Sequence, residues 1–205
     1  TKGKNIKKLG VIGSGIIGKT TIEVFFKDNW NIDEVAIFDL NRQSAEGLAS
    51  QISDGFQTKA KAAESLEEAT SCDVVLFVTS AGEPYVLDPN TFKAGQVVLN
   101  ISLRDIAPEI ILNACNVFDD VEHCMKANTS PHLAEQLSGG RDCVTGTIGE
   151  IIKGEVSLDH SKPIIYSPFG LGVLDLIFAN KIYEIAKEAG TSIPIANFFG
   201  ETERW

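Results

Sequence analysis

The hydrophobic residues of this chain form short apolar runs that alternate with helical patterns almost from end to end. The apolar runs have the length of strands and cover residues 9–12, 35–38, 73–78, 96–101 and 116–118. The run at 73–78 lacks polar alternation, as expected of a central parallel strand that is covered on both faces. Helical patterns and helix-start signals predict helices at residues 15–27 and 44–52, from Ser65, from Ser130 and at residues 171–189.

Strands that alternate with helices are typical of a parallel sheet covered on both sides. The sequence therefore predicts an α/β fold, a Rossmann-type doubly wound and mostly parallel sheet, followed by a C-terminal helix and tail. The tail after Gly190 carries Phe198, Phe199 and Trp205. Because exposing these aromatic side chains to water is unfavourable, we expect the tail to pack on another part of the protein.

The turn between the first predicted strand and the first predicted helix reads GSGIIGKT, residues 13–20. It fits both the dinucleotide fingerprint G-x-G-x-x-G and the Walker A pattern G-x-x-x-x-G-K-T. Both motifs hold phosphate on backbone N–H groups at a helix N-terminus. A phosphate-wrapping loop often needs left-handed backbone angles, which the β-branched Ile16 and Ile17 disfavour. The dinucleotide interpretation is therefore favoured, with a Walker loop and a purely structural turn as alternatives.

The second predicted strand ends in an acid, Asp39, 21 residues after Gly18. An acid at this position accepts hydrogen bonds from the ribose hydroxyls of a bound dinucleotide. Its charge would repel a ribose 2′-phosphate, which favours NAD over NADP, although Arg42 could offset part of that repulsion.

Further candidate cofactor ligands follow the later strands, because open α/β sheets bind ligands beyond the carboxyl ends of their strands. The candidate cofactor-binding residues of these segments are Gly13, Ser14, Gly15, Ile16, Ile17, Gly18, Asp39, Leu40, Asn41, Thr79, Ser80, Asn100, Ile101 and Ser102.

The charge of the chain argues against several classes of partner. Eighteen Lys and Arg face 28 Asp and Glu, which gives a formal charge of −10 and repels nucleic acids and anionic lipid surfaces. No apolar run approaches the roughly 20 residues that cross a bilayer. We therefore expect a soluble protein that binds neither nucleic acid nor membrane.

The cysteines show no paired spacing. They are Cys72, Cys115, Cys124 and Cys143, and they predict reduced thiols in a cytoplasmic protein rather than disulfides. No metal site is predicted, and a zinc site built from His123, Cys124 and His132 is the alternative.

Several segments, taken with the glycine loop, resemble the ornithine cyclodeaminase/mu-crystallin family. They are residues 78–80 (VTS), 92–97 (FKAGQV), 148–154 (IGEIIKG) and 167–175 (SPFGLGVLD). Residues 100–105 (NISLRD) and 127–136 (ANTSPHLAEQ) are most similar to one branch, the dehydrogenases of 2,3-diaminopropionate biosynthesis. The resemblance implies an enzyme that oxidises N-(2-amino-2-carboxyethyl)-L-glutamate with NAD. Hydrolysis of the imine would then give 2-oxoglutarate and 2,3-diaminopropionate, a building block of siderophores.

The resemblance also implies how the chain is organised, and the chemistry of the side chains indicates which residues act. Residues 1–169 would form the dinucleotide-binding domain, and residues 170–205 a helix and tail that return to an N-terminal substrate and dimerisation domain absent from this chain. Gly170 would let backbone approach the nicotinamide. Arg104 would bind a substrate carboxylate, Asp175 would orient a water or amine, and His132 would act as an acid or base. The alternatives are a helix-start acid for Asp175 and a solvated surface residue for His132.

One departure from the family pattern bears on the reaction. Cyclodeaminases carry an Asp after Gly-Gly beyond the fifth strand, whereas this chain has Ser102, Leu103 and Arg104, with Asp105 out of register. This disfavours ornithine cyclisation. The alternatives to the 2,3-diaminopropionate-forming dehydrogenase are a cyclodeaminase-like deaminase and a crystallin-like protein that binds a small ligand or reduces imines with NAD(P)H.

Overall fold

The computed structural model describes residues 3–198 and 200. The strands in these residues are β1 (Asn5–Ile12), β2 (Asn31–Phe38), β3 (Lys59–Ala62), β4 (Val74–Phe77), β5 (Val97–Asn100), β6 (Cys115–Phe118), β7 (Val144–Thr147) and β8 (Ile164–Ser167). The helices are α1 (Ile16–Lys27), α2 (Arg42–Phe56), α3 (Leu66–Thr70), α4 (Pro108–Leu112), α5 (Val121–Cys124), α6 (Ser130–Ser138), α7 (Ile148–Lys153) and α8 (Gly172–Glu188).

The strands form one sheet in the order β3-β2-β1-β4-β5-β8-β6-β7, and the neighbouring strands pair in parallel throughout the described residues. From β1 the chain runs outward through β2 and β3 and then returns to β4 on the other side of β1. The order therefore reverses between β1 and β4, and such a reversal opens a crevice beyond the carboxyl ends of these strands. The predicted Rossmann-type parallel sheet is confirmed.

Strand β4 shows how the sheet is covered on both faces. All four of its residues are buried. Val75 and Phe77 belong to one apolar core, whereas Val74 and Leu76 belong to the other. Successive side chains of a strand point to opposite faces, so the two cores lie on opposite sides of the sheet. This agrees with the prediction of a central strand from its uninterrupted apolar run.

Three strands were missed by the hydrophobic pattern. β3 reads KAKA and is only half-buried at alternate positions, so it has no apolar run. β7 reads VTGT and lies at the opposite edge of the sheet. β8 reads IIYS and lies between β5 and β6, although it is the last strand along the chain. The edge strands β3 and β7 carry too few apolar residues to be detected by period alone, and the short apolar run of β8 was not recognised as a strand.

The chain divides into two compact units, the first ending at Phe169 and the second beginning at Gly170. The second unit contains α8, in which no residue is buried. The expected packing of the aromatic tail concerns Phe199 and Trp205 as well as Phe198, and the first two lie outside the described residues. In the described part of the chain, no helix combines the length and the apolar character needed to cross a bilayer.

Candidate functional site

The turn between β1 and α1 requires glycine at residue 13. Gly13 has a φ of +100°, and a Cβ there would lie 2.7 Å from the carbonyl oxygen of Val78 beyond β4. The Gly13 N–H donates to the carbonyl oxygen of Phe38 at the end of β2, at 2.8 Å. Glycine therefore lets the loop pass close to both neighbouring strands.

Helix α1 begins beside this loop with open space in front of it. Gly15 is its N-cap residue, and no side chain caps the helix. A Cβ on Gly15 would meet no atom within 4 Å, whereas one on Gly18 would lie 3.0 Å from the Gly13 carbonyl oxygen. Ile16 and Ile17 are 75% and 56% exposed. An uncapped helix start that a ligand can approach favours a phosphate group, because its N–H groups and dipole are positive.

Strand β2 brings Asp39 to the same loop. One carboxylate oxygen, Oδ2, accepts hydrogen bonds from the backbone N–H and the hydroxyl of Ser14, at 2.8 and 2.7 Å. The other, Oδ1, accepts one from the Asn41 N–H at 2.8 Å. Partial burial raises the pKa of Asp39, but the hydrogen bonds from Ser14 and Asn41 outweigh it and hold the pKa below the usual 3.8. An ionised carboxylate thus lies beside the glycine loop at neutral pH.

The residues that follow Asp39 are oriented differently from one another. Leu40 is 97% exposed. Asn41 is the N-cap of α2, and its side chain accepts from the Ser44 N–H. Arg42 forms ion pairs with two glutamates, Glu46 and Glu64. Its positive charge is therefore already compensated within the protein.

A hydrogen-bonded network joins the ends of β4 and β5. The Ser102 hydroxyl accepts from the Thr79 N–H at 2.7 Å. The Thr79 hydroxyl and the Tyr85 hydroxyl both donate to Oδ2 of Asp105, at 2.7 and 2.9 Å. Asp105 is fully buried, and its Oδ1 has no hydrogen-bond partner among the described residues. Burial, followed by the Asp105 charge, raises the pKa of Tyr85 and keeps its phenol protonated.

Asn100 extends this network towards β8. It is 1% exposed, and its side-chain N–H donates to the Ser167 hydroxyl at 3.1 Å. Its Oδ1 is buried without a partner in the described structure. Asn100, Ser102, Cys124 and Ser167 line a cavity of about 10 Å³, room for about one water molecule. Ser80 and Ile101 adjoin this network in the sequence, and Ser80 is exposed.

Arg104 and His132 meet the same short turn. Nη2 of Arg104 donates to the Ala127 carbonyl oxygen at 3.0 Å, and Nδ1 of His132 accepts from the Asn128 N–H at 3.1 Å. Ala127 and Asn128 both have positive φ, which is strained for alanine. Both candidate side chains are half-buried, and the choice between an acid or base role and a solvated surface role for His132 stays a prediction. Nε of Arg104 is buried and has no partner in the described residues.

Two candidate residues belong to the second unit. Gly170 is its first residue and has a φ of +102°. Asp175 lies in the first turn of α8, where a carboxylate is stabilised by the helix dipole.

Sequence reasoning missed several members of the network. Asp105 was set aside because it is out of register with the cyclodeaminase pattern, and its burial could be recognised only from the fold. Tyr85 lies in a loop that carries no motif, and Ser167 in the strand that was missed. Asp119, beyond β6, accepts hydrogen bonds from the Phe169 N–H and the Cys124 thiol. Apart from the Cys124–Asp119 pair, five positions apart, these contacts join residues at least 20 positions apart and give no local signal.

The cysteines are four buried free thiols. Burial, followed by the hydrogen bond to Asp119, raises the pKa of Cys124 to about 12, so this thiol stays protonated. No group of three or more His, Cys, Asp or Glu that could hold a metal ion occurs among the described residues. His123, Cys124 and His132 are therefore not brought together as the group considered in the alternative interpretation.

A glycine turn against the topological switch point, an open helix start and an acid at the end of β2 define the class of dinucleotide-binding Rossmann folds. Comparison with family models then places the chain within this class. Residues 2–190 match the ornithine cyclodeaminase/mu-crystallin family. The chain belongs to this family, and the resemblance inferred from its motifs is confirmed.

Individual relatives are about one-quarter identical to this chain over the aligned residues. The N-((2S)-2-amino-2-carboxyethyl)-L-glutamate dehydrogenase of Staphylococcus aureus is 25% identical over 90% of this chain and 56% of its own length. The ketimine reductase mu-crystallin of Mus musculus is 26% identical over 86% of this chain and 54% of its own length. The chain therefore spans little more than half the length of these relatives.

Solved structures share the fold. An archaeal alanine dehydrogenase dimer with bound NAD superposes with a TM-score of 0.82 and 26% identity, over 95% of this chain and 62% of that one. The Δ1-pyrroline-2-carboxylate reductase of Thermococcus litoralis, in complex with NADH and L-proline, gives a TM-score of 0.85 at 22% identity, over 94% and 62%.

Proposed function

We propose that this chain is the NAD-binding part of an oxidoreductase that acts on an amino-acid-derived amine or imine. The observation that carries the proposal is the contact between Asp39 and Ser14, which brings an ionised acid against the glycine loop. The names of the relatives, which are dehydrogenases and reductases, support the same class of reaction.

The cofactor, when bound, supplies hydride transfer. The backbone around Gly13, Gly15 and Gly18 would bind the pyrophosphate at the start of α1, and Asp39 would accept hydrogen bonds from the adenosine ribose. Asn100, at the end of β5, would help to place the nicotinamide ring together with Ile101 and Ser102. The Thr79–Ser102 hydrogen bond would hold these two strand ends in register.

The finer proposal concerns the substrate. The motifs of residues 100–105 and 127–136 favour N-(2-amino-2-carboxyethyl)-L-glutamate, the substrate in the name of the S. aureus relative. Arg104 would bind a substrate carboxylate, with His132 moving a proton nearby and Asp175 orienting water or amine. The whole protein would be a cytoplasmic homodimer whose substrate domain lies outside this chain.

A second candidate is imine reduction. The ketimine reductase and Δ1-pyrroline-2-carboxylate reductase relatives support it, because they match the chain over a similar length and identity. The two reactions are distinguished by the direction of hydride transfer between substrate and cofactor. The amine should reduce NAD and release 2-oxoglutarate, whereas Δ1-pyrroline-2-carboxylate should oxidise NADH in a protein that carries the substrate domain.

Cofactor binding is tested on this chain directly. NADH titrated against it should show a saturable change in nicotinamide fluorescence and should raise the melting temperature. We expect no turnover of the amine, because the proposed substrate domain lies outside this chain, which spans little more than half the length of its relatives. Full turnover by the 205-residue chain would contradict the proposed division of roles.

ATP with Mg²⁺ is the control for the Walker alternative. We expect no binding, and Lys19→Ala should leave NADH affinity nearly unchanged. Loss of Mg-ATP binding in this variant would instead identify a Walker loop.

A further inference from the structure

The first residue of α2 is held by two carboxylates. Nη1 and Nη2 of Arg42 donate to the two carboxylate oxygens of Glu64, at 2.9 and 2.8 Å. Nε of Arg42 donates to Glu46 at 2.9 Å, four residues further along the helix. Both terminal nitrogens and Nε are thus engaged in charge-assisted hydrogen bonds, the strongest kind that a guanidinium makes.

Glu64 is itself held in place beyond β3. Its backbone N–H donates to Oε2 of Glu68 at 2.7 Å, and the other oxygen of Glu68 pairs with Lys61 at 2.6 Å. The loop that presents Glu64 to Arg42 is therefore fixed by hydrogen bonds of its own. The backbone from which the Glu64 side chain reaches Arg42 is thus held in place, although the two side chains themselves are exposed.

The position of Arg42 suggests that its ion pairs with Glu46 and Glu64 affect the choice between NAD and NADP. Arg42 follows Asp39 by three residues, and an arginine near the acid at the end of β2 is the side chain that accommodates a 2′-phosphate in NADP-binding folds. Here two carboxylates, those of Glu46 and Glu64, pair with one guanidinium and leave the three groups with a net charge of −1. Asp39, beside the glycine loop, adds a further negative charge to this end of the sheet. A dianionic 2′-phosphate would meet this negative charge without a free arginine.

We propose that Glu46 and Glu64 make the site select NAD over NADP by keeping Arg42 from a 2′-phosphate. The proposal rests on the proposed dinucleotide site and adds two specificity-determining residues to it. Asp39 binds the ribose, and the two glutamates prevent the neighbouring arginine from compensating the charge of Asp39.

The test uses the chain with both glutamates replaced, Glu46→Gln and Glu64→Gln. NADH and NADPH dissociation constants are measured by nicotinamide fluorescence. We expect NADPH to bind about tenfold more tightly than to the wild-type chain, about the worth of one exposed charge-assisted hydrogen bond. NADH affinity should stay unchanged, and Glu64→Gln alone should give more of the gain than Glu46→Gln alone, since Glu64 accepts two of the three bonds.

A matched control exists at the other edge of the sheet. Arg141 also pairs with two glutamates, through Nη1 to Glu122 and through Nε to Glu135, beyond β6. Replacing Glu122 and Glu135 by Gln removes the same two charges and releases an arginine far from β2. We expect this variant to bind both cofactors as the wild-type chain does.

The outcomes separate the inference from the proposed function. Adding Arg42→Ala to the Glu46→Gln, Glu64→Gln variant should remove the gain in NADPH affinity. If the gain persists without Arg42, or if the double variant discriminates as the wild type does, the inference is wrong while NADH binding still supports the proposed function. If the wild-type chain binds neither NADH nor NADPH, the proposed function fails and the inference fails with it.

Discussion

The two sides of the candidate site are built in different ways. The loop side is formed by Gly13, Ser14 and Asp39 at the ends of β1 and β2. Ser14 and Asp39 are half-buried, and the turn depends on the absence of a side chain at Gly13. The network side, formed by Thr79, Asn100, Ser102, Asp105 and Ser167 at the ends of β4, β5 and β8, has most of its polar groups buried and bonded to one another.

Because of this difference, we expect substitutions on the loop side to affect mainly ligand binding and substitutions on the network side to affect mainly the stability of the fold. Removing an atom from the loop side should weaken the hold on a ligand and cost the fold little, because water can replace the lost contact. Removing one from the network side leaves buried donors without acceptors, and that penalty falls on folding itself. Gly13 is an exception on the loop side, because any other residue there would strain the turn and so lower stability as well. The predictions test this division, from the largest expected effect to the smallest.

Gly13→Ala should damage both properties. The added Cβ would lie 2.7 Å from the Val78 carbonyl oxygen, and the φ of +100° disfavours alanine. We expect a loss of about 3 kcal/mol in the free energy of unfolding, and no NADH binding at concentrations that saturate the wild type. Urea unfolding and fluorescence titration measure the two effects.

The matched control is Gly47→Ala in α2, where an added Cβ meets no atom within 4 Å. This change should stabilise the protein by about 0.5–1 kcal/mol, since alanine favours a helix interior. Equal behaviour of the two variants would show that the Gly13 geometry is unimportant.

Asp105→Ala should lower stability by about 2–3 kcal/mol, because it leaves the Thr79 and Tyr85 hydroxyls without their acceptor. Asp105→Asn can keep an oxygen at the same position and should lose less. Asp88→Ala, at an exposed turn, is the control and should change little. Urea denaturation measures all three, and a network-side role is contradicted if Asp105→Ala unfolds at the same urea concentration as Asp88→Ala.

Asp39→Asn should reduce NADH affinity about tenfold, the loss of one charge-assisted hydrogen bond to ribose. Stability should change by less than about 1 kcal/mol, because the carboxylate is partly exposed and its Ser14 partners can bond to water. Asp33→Asn, on the exposed side of the same strand, should leave NADH affinity intact. A larger effect on unfolding than on binding would reverse the assignment of Asp39 to the loop side.

The smallest effect concerns pH. The pKa of Asp39 is lowered in the folded chain, so its stabilising contribution is fully present above its ordinary value of 3.8 and is lost as pH falls through the lower folded value. NAD⁺ affinity measured by calorimetry should therefore be constant from pH 8 to about pH 5 as far as Asp39 is concerned. A decline within that window would require a different titrating group at the site.

The loop side was predictable from sequence, and the network side was not. The glycine spacing and the acid 21 residues later are local signals, because β1, α1 and β2 follow one another along the chain and in space. Central strand β4 was equally clear, since burial on both faces leaves an unbroken apolar run.

The network depends on contacts between residues distant in sequence. Asn100 and Ser167 are bonded across 67 positions, and Thr79 and Asp105 across 26. Whether Asp105 is buried depends on where the Tyr85 loop lies, which no spacing rule gives. Arg104 and His132 were selected for their chemistry, but only the folded chain shows that they meet the same strained turn.

The place of β8 in the sheet has a consequence for biosynthesis. β5 and β6 each pair with β8 and not with each other. Both strands therefore lack a neighbour on one side until β8, at Ile164–Ser167, has been made. During synthesis on the ribosome, β1 to β5 can pair with one another as they emerge. β6 can pair with β7, but these two strands can join the rest of the sheet only after β8 has been made. Until then two unpaired strand edges are open to chaperones or to mispairing, and a translational pause just before residue 164 would prolong that exposure.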